Sequence, residues 1–281
     1  MADTGAQVLL RGLIDDAGLF PPTALPMVQA VERHRSDRIV SHPMLSHRLV
    51  CPASRWGELV ARLDGDQRVD VGLVLDTDAG AAGTLPDSDP RVRVARYETR
   101  ARPDDLRLVA DLFRSGDIGG AGRVVYFELD RDPGWLDAVD ILSGARPLGA
   151  KLRCGGTRPD HFPSAREAGA FITACVERDV PFIATAGLHR GVGRADPATG
   201  AAHYGYLNLL LATAAVVQGR HDAVVPALTS TDARGLACAA AGLDPATAAR
   251  TRELLVGYAS CSTGDPVRDA AALGLLGSWE V

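Results

Sequence analysis

Lysine is nearly missing from this chain. Of thirty lysine and arginine residues in 281, Lys151 alone carries an amine. A guanidinium stays protonated in proteins, whereas an amine can lose its proton in a desolvated pocket and act as base or nucleophile. A lone lysine among arginines therefore points to a task that arginine cannot perform. Aromatic residues are also few, at 5%, so the core must be built from small aliphatics, which fit buried strands and helices. The five cysteines (Cys51, Cys154, Cys175, Cys238 and Cys261) are odd in number and widely spaced, which argues against a disulfide framework or a zinc knuckle. No run approaches the roughly 18 apolar residues that a membrane span requires. The opening Met1-Ala2-Asp3-Thr4 has no basic stretch before an apolar run, against a signal peptide. A net charge of −5 leaves no electrostatic footprint for nucleic acid. Together these exclusions predict a soluble, cytoplasmic protein that binds neither membrane nor nucleic acid. Nothing in them excludes a homo-oligomer.

What is present alternates. Strand-like runs are predicted at Arg48–Ala53, Val69–Asp76, Val92–Glu98, Arg123–Leu129, Leu148–Cys154, Pro181–Ala186 and Leu254–Ser260. Several are almost continuously apolar, as strands covered on both faces of a parallel sheet are. Between them, Arg55–Leu63, Asp104–Arg114, Gly134–Leu142, Ser164–Arg178 and His203–Val217 show apolar residues three and four apart, the spacing of amphipathic helices. The alternation predicts an α/β fold, a (β/α)8 TIM-type barrel as a single domain over residues 1–281. A helix over Gln7–Asp16 would pack at one end, and His221–Leu228 is a candidate eighth strand or part of a helix. The alternative is an open doubly wound parallel sheet, but no G-x-G-x-x-G turn follows the first strand. The Gly-, Asp- and Pro-rich stretch Asp76–Pro90 reads as the longest loop.

Side chains alternate along a strand. In 148–154 that sends Ala150, Leu152 and Cys154 outward, and Lys151 and Arg153 into the barrel. In 124–130 it sends Phe127 and Leu129 outward, and Tyr126 and Glu128 inward. Consecutive strands are usually neighbours, so Glu128, Lys151 and Arg153 should cluster near the strand ends where catalytic residues of barrels gather. Gly155 and Gly156 follow immediately and would let a backbone approach a ligand. Thr185 and Gly187 end the next strand, with His189 and Arg190 just beyond it. His203, Tyr204 and Asn208 open the following helix. Ser260 and Ser262 flank Cys261 in a small-residue turn able to hold an anion. Cys154 and Cys261 alternate outward and read as small hydrophobes. His42, His47 and His161 have no metal-ligand spacing.

Residues 148–264 resemble the Schiff-base class I aldolases of the deoxyribose-phosphate aldolase type. Lys151-Leu152-Arg153-Cys154-Gly155 matches the segment that carries the imine-forming lysine there. Ile183-Ala184-Thr185-Ala186-Gly187 matches the next strand, and Ser260-Cys261-Ser262 stands where that family has paired phosphate-binding serines. The resemblance implies a metal-independent lyase in which Lys151 forms the imine. Two departures matter: Ile183 stands where the family has a second lysine, and Cys261 interrupts the serines. The segments Ala-Gly-Leu-Phe-Pro-Pro (17–22) and Lys-Leu-Arg-Cys-Gly-Gly (151–156) also resemble a pattern of a bacterial protein group, which implies no activity.

The leading expectation is an aldolase-type lyase without cofactor, acting on a small anionic or polyhydroxylated carbonyl compound. Lys151 would form the Schiff base, Glu128 move protons, Arg153 tune the lysine or grip a carboxylate, and His189 assist proton transfer. Gly155, Gly156, Thr185, Gly187, Arg190, His203, Tyr204, Asn208, Ser260 and Ser262 would contact substrate. One alternative makes Lys151 the general base, or an enolate-stabilising cation, of an isomerase or dehydratase, with or without a divalent metal held by Asp76, Glu98 or Glu128. A second is a non-enzymatic ligand-binding or assembly barrel with Lys151 locked in an ion pair.

Overall fold

In the computed structural model, which describes residues 3–65, 67–76, 89–117, 123–144, 148–195 and 202–279, eight parallel strands close into a (β/α)8 barrel. They follow one another around the ring in chain order: β1 (Ile14–Asp16), β2 (Leu45–Pro52), β3 (Val69–Val74), β4 (Val92–Ala101), β5 (Val125–Leu129), β6 (Leu148–Arg153), β7 (Phe182–Thr185) and β8 (Leu255–Ser260). β1 pairs with both β8 and β2 and so shuts the ring. Helices cover the outside, and no helix among the described residues is long and apolar enough to cross a membrane. Of the predicted loop Asp76–Pro90, residues 77–88 lie outside the described part.

The eighth strand comes from the N-terminus, where a helix over Gln7–Asp16 was expected. The helix is Gly5–Leu10, opened by a capping box in which Thr4 and Gln7 satisfy each other's backbone amides. Gly12, at φ +57°, takes the left-handed turn that ends it and releases the chain into β1. The other candidate, His221–Leu228, is a short 3-10 turn followed by helix Val224–Thr229. Pro226 falls in that helix's first turn, where a missing N–H costs no hydrogen bond. The predicted helix His203–Val217 begins only at Tyr206, because Gly205 caps it and residues 202–203 pair with 194–195 as a short antiparallel ribbon.

The alternation of side chains holds. Phe127, Leu129, Ala150, Leu152 and Cys154 are buried in the apolar shell between strands and helices. Tyr126, Glu128 and Lys151 are equally buried yet outside that shell, in the barrel's interior. Two glycines make room there. A side chain on Gly149 would meet the ring of Tyr126, its partner across β5 and β6, at 2.6 Å. One on Gly72 would press on Arg48, Arg96 and Glu98, each at 3.4 Å.

The ring closure is held at its N-terminal face by Arg252, in the last turn of helix Pro245–Leu254. Its guanidinium donates to the carbonyls of Leu9 and Arg11 (both 3.0 Å), Leu255 (3.1 Å) and Val256 (2.6 Å), tying the chain before β1 to the start of β8. Arg252→Met removes the donors of four carbonyls, three of them in partly buried hydrogen bonds. It should lower stability by about 3 kcal/mol in urea denaturation followed by circular dichroism. A loss below about 0.5 kcal/mol would mean solvent replaces the guanidinium.

Candidate active site

Barrel interiors are commonly filled by aliphatic side chains. This one carries a chain of alternating charges. Arg48 pairs with Asp15 at 2.8 Å, and Arg96 lies 2.6 Å from the other Asp15 oxygen, off the hydrogen-bond line. Arg96 also holds Glu98 Oε1 at 2.6 Å. The second Glu98 oxygen faces Lys151 Nζ at 3.0 Å. On its other side Nζ lies 3.3 Å from Glu128 Oε2, and Arg153 Nε closes the series on Glu128 Oε1 at 2.7 Å. Strand register builds this directly, since Glu128 stands opposite Lys151 and Lys151 opposite Ile183. Ile183 is fully buried, so the neighbouring position inside the barrel is apolar.

The charges hold one another. Burial alone would raise the Glu98 carboxyl, but Lys151 and Arg96 outweigh it and keep it at about 2. Burial likewise works against the Glu128 carboxylate, and Lys151, Arg153 and Arg100 overcome it and hold it below its ordinary value. Both are therefore ionised at neutral pH, with Lys151 between them.

Lys151 is 7% exposed, and that exposure opens into two cavities at the C-terminal ends of the strands. The smaller, about 280 Å³, has an apolar wall of Ala17, Phe20, Val50, Val74 and Ala259, with Glu98 and Lys151 on its floor. The loop after β1, Ala17–Pro21, forms one side of it. The larger, about 570 Å³, is polar and lined by Arg100, Glu128, Arg131, Arg153, Arg158 and Trp135 among others. Each of its arginines has a carboxylate partner: Arg100 with Asp130, Arg131 with Glu167, Arg153 with Glu128 and Arg158 with Asp160. Lys151, Arg153 and His161 face both cavities.

The structure brings together Lys151, Glu128, Arg153 and His189, and with them Gly156, Thr185 and Gly187. Gly155 packs on the turn at Gly187, where an added side chain would come within 3.2 Å of its Cα. Gly156 gives way to the His161 ring, which a side chain there would strike at 2.1 Å.

Several expected substrate contacts lie elsewhere. Arg190 is exposed and paired with Asp269 at 3.1 Å. His203 sits in the ribbon with its ring edge-on to Phe162 at 5.1 Å. The Tyr204 hydroxyl donates to the Pro163 carbonyl at 2.7 Å. Asn208 is buried and spends its amide on four backbone partners, Gly193, Gly205, Ala227 and Ser230. The Ser260 hydroxyl donates to the Ser262 carbonyl at 2.6 Å, and Ser262 Oγ accepts from the Asp265 amide at 3.2 Å. These residues shape the loops; none lines either cavity.

Sequence reasoning missed three participants. Glu98 had been considered only as a metal ligand, and His161 only as lacking ligand spacing. Cys261, expected to face outward, lines the smaller cavity, because β8 ends at Ser260 and strand alternation stops with it. A signal for Glu98 existed: Arg96, Glu98 and Arg100 occupy every second position of one strand, alternating with Tyr97, Thr99 and Ala101. As to a metal, no three His, Cys, Asp or Glu side chains converge as a ligand set among the described residues. Asp76 instead accepts from the Ser54 amide (3.0 Å) and hydroxyl (2.6 Å).

The pH dependence follows. A carboxyl held at about 2 in the fold and near 4.3 in the unfolded chain contributes stability that is full above the higher value and lost as pH falls through the lower. Glu98→Gln should cost about 3 kcal/mol at neutral pH, and its denaturation midpoint should change less than wild type's between about pH 4 and pH 2. Parallel acid limbs for the two proteins would show that Glu98 does not titrate in this window. No protein-family model matches the chain, and neither the curated proteins nor the solved structures yield a similar protein, so the site's chemistry has to be argued from its geometry.

Proposed function

We propose that the protein is a lyase of class I aldolase type, breaking or making a carbon–carbon bond in a small carbonyl compound through a Schiff base on Lys151. The observation that carries this is the place of the amine: buried, opening into two cavities and held between two carboxylates. Ion pairing by itself gives no reason for a lysine here, since arginine pairs carboxylates at least as well.

The chemistry would run as follows. Nζ, after giving up a proton, attacks the substrate carbonyl and forms a C–N bond, and the carbonyl oxygen leaves as water. The resulting iminium draws in the electron pair of the bond between its α and β carbons as a base takes the β-hydroxyl proton, so a carbonyl fragment departs and an enamine remains. The enamine is protonated at the α carbon and hydrolysed, which frees the amine and the second product. Glu98, fully buried and held at about 2, acts as a fixed counter-charge. Glu128 faces the larger cavity and moves protons with His161, whose imidazole burial and Arg153 keep below its ordinary value and thus neutral at physiological pH. His189 assists at the smaller cavity. The arginine–carboxylate pairs offer donors and acceptors side by side, which favours a polyhydroxylated chain over a bare anion in the larger space. The five free cysteines fit a reducing, cytoplasmic setting.

A second reading has one observation in its favour, the close pairing of Nζ with Glu98 and Glu128. Lys151 would then stay a fixed cation and stabilise an enolate in an isomerase or dehydratase.

The single lysine makes the test clean. The protein is incubated with small hydroxyaldehydes, ketones and 2-oxo acids in turn, with borohydride, and mapped by peptide mass spectrometry. A reduced adduct on the Lys151 peptide is expected, with loss of the adduct and of turnover in Lys151→Arg. Adducts confined to the α-amino group would reject the Schiff base. Solvent deuterium exchange into an untrapped substrate would then point to the enolate chemistry.

A further inference from the structure

We infer that Cys261 and His189 form a thiol–imidazole pair that makes Cys261 a second nucleophile of the smaller cavity, one that captures small aldehydes as hemithioacetals. The two residues come from adjacent strand ends, His189 from the loop after β7 and Cys261 from the first position past β8. Sγ lies 3.5 Å from Nδ1 and 3.9 Å from Nε2 of the ring. Both side chains line the cavity whose floor is Lys151.

The other cysteines set the contrast. Cys51 and Cys154 are buried in the apolar shell, and burial pushes both thiols up to about 12. Cys175 is fully buried and raised further by the same cause. Cys238 is free and exposed. For Cys261 burial also works against the thiolate, but hydrogen bonds from His189 and Thr23 outweigh it and the thiol is lowered. Its backbone is fixed as well, since Arg33, itself paired with Asp16, donates to the Cys261 carbonyl at 2.8 Å. Reactive thiols combine a favoured thiolate with access, and a cavity wall supplies the access.

In the capture step His189 takes the thiol proton. The sulfur lone pair forms an S–C bond to the aldehyde carbon, and the carbonyl π pair moves onto oxygen. That oxygen then receives the proton from His189, so the adduct is neutral and reversible and needs no oxidant. The apolar wall of Phe20, Val50, Val74 and Ala259 suits a short aliphatic aldehyde. The inference does not depend on imine formation at Lys151, because sulfur and nitrogen are read at different peptides.

The intact protein is treated with iodoacetamide at neutral pH, and alkylation of all five cysteines is timed by peptide mass spectrometry. Cys261 should react at least about threefold faster than exposed Cys238, because its imidazole partner favours the thiolate. Propionaldehyde should slow Cys261 by a similar factor without touching Cys238, in the wild type and equally in Lys151→Arg, where no imine can form in the cavity. His189→Ala should bring Cys261 to or below the Cys238 rate. Cys51, Cys154 and Cys175 report on folding in every sample, and His189→Gln replaces the alanine variant if they begin to react. A Cys261 slower than Cys238 in the wild type, or indifferent to a folded His189 variant, overturns the pair. Normal labelling that aldehyde does not slow overturns the capture.

Discussion

The ammonium group of Lys151, set between Glu98 and Glu128 at 3.0 and 3.3 Å, is the interaction on which the barrel's interior turns. Burying a carboxylate costs several kcal/mol unless cations and hydrogen bonds replace its water. Here each interior carboxylate has a cation on either side: Arg48 and Arg96 for Asp15, Arg96 and Lys151 for Glu98, Lys151 and Arg153 for Glu128. Removing the middle member would leave two carboxylates facing each other inside the ring. The alternation also explains where the apolar core went. With the interior given to charge, the aliphatic residues pack between strands and helices, and Gly72 and Gly149 open the space that the guanidinium of Arg96 and the ring of Tyr126 fill. Tyr126 in turn carries Arg96 on its face, 5.6 Å from ring centre to guanidinium carbon.

Much of this was readable from one rule, the period of two along a strand. It placed Lys151, Arg153, Tyr126 and Glu128 inside and their neighbours outside, as the structure has them. The rule failed where strands end or are too short to show a period. β1 has three residues, two of them aspartates that face opposite ways: Asp15 joins the interior ion chain, while Asp16 meets Arg33 outside it. An apolar–acidic stretch of that length is indistinguishable from the end of a helix. Cys261 failed for the same reason on the neighbouring strand, one residue beyond the end of β8. His203, Tyr204 and Asn208 were misplaced because a ribbon stands between β7 and its helix: the Tyr204 hydroxyl and the Asn208 amide turn onto backbone partners, and the His203 ring lies edge-on to Phe162. Local pattern predicts direction only while the element continues.

The serine pair illustrates a different limit. Ser260 and Ser262 have the hydroxyls that an anion site needs, yet both are occupied within their own turn, one by a carbonyl and one by the amide of Asp265. Composition reveals which donors exist. Only geometry reveals whether they are free, and in the larger cavity it shows arginines already matched to carboxylates.

In the proposed chemistry the two cavities divide the labour at Nζ. The carboxylate on the apolar side, Glu98, is held at about 2 and would act as a fixed charge. The one on the polar side, Glu128, lines the larger cavity, as His161 does. Protons released from the amine would therefore leave on the polar side, while a carbonyl approaching from the apolar side meets nitrogen on the floor and sulfur on the wall. An amine forms a bond that activates its neighbour for cleavage; a thiol forms one that only stores the aldehyde. On the two proposals together, nucleophiles of such different consequence around one small space would suit an enzyme that keeps a reactive aldehyde bound between successive steps at a single lysine.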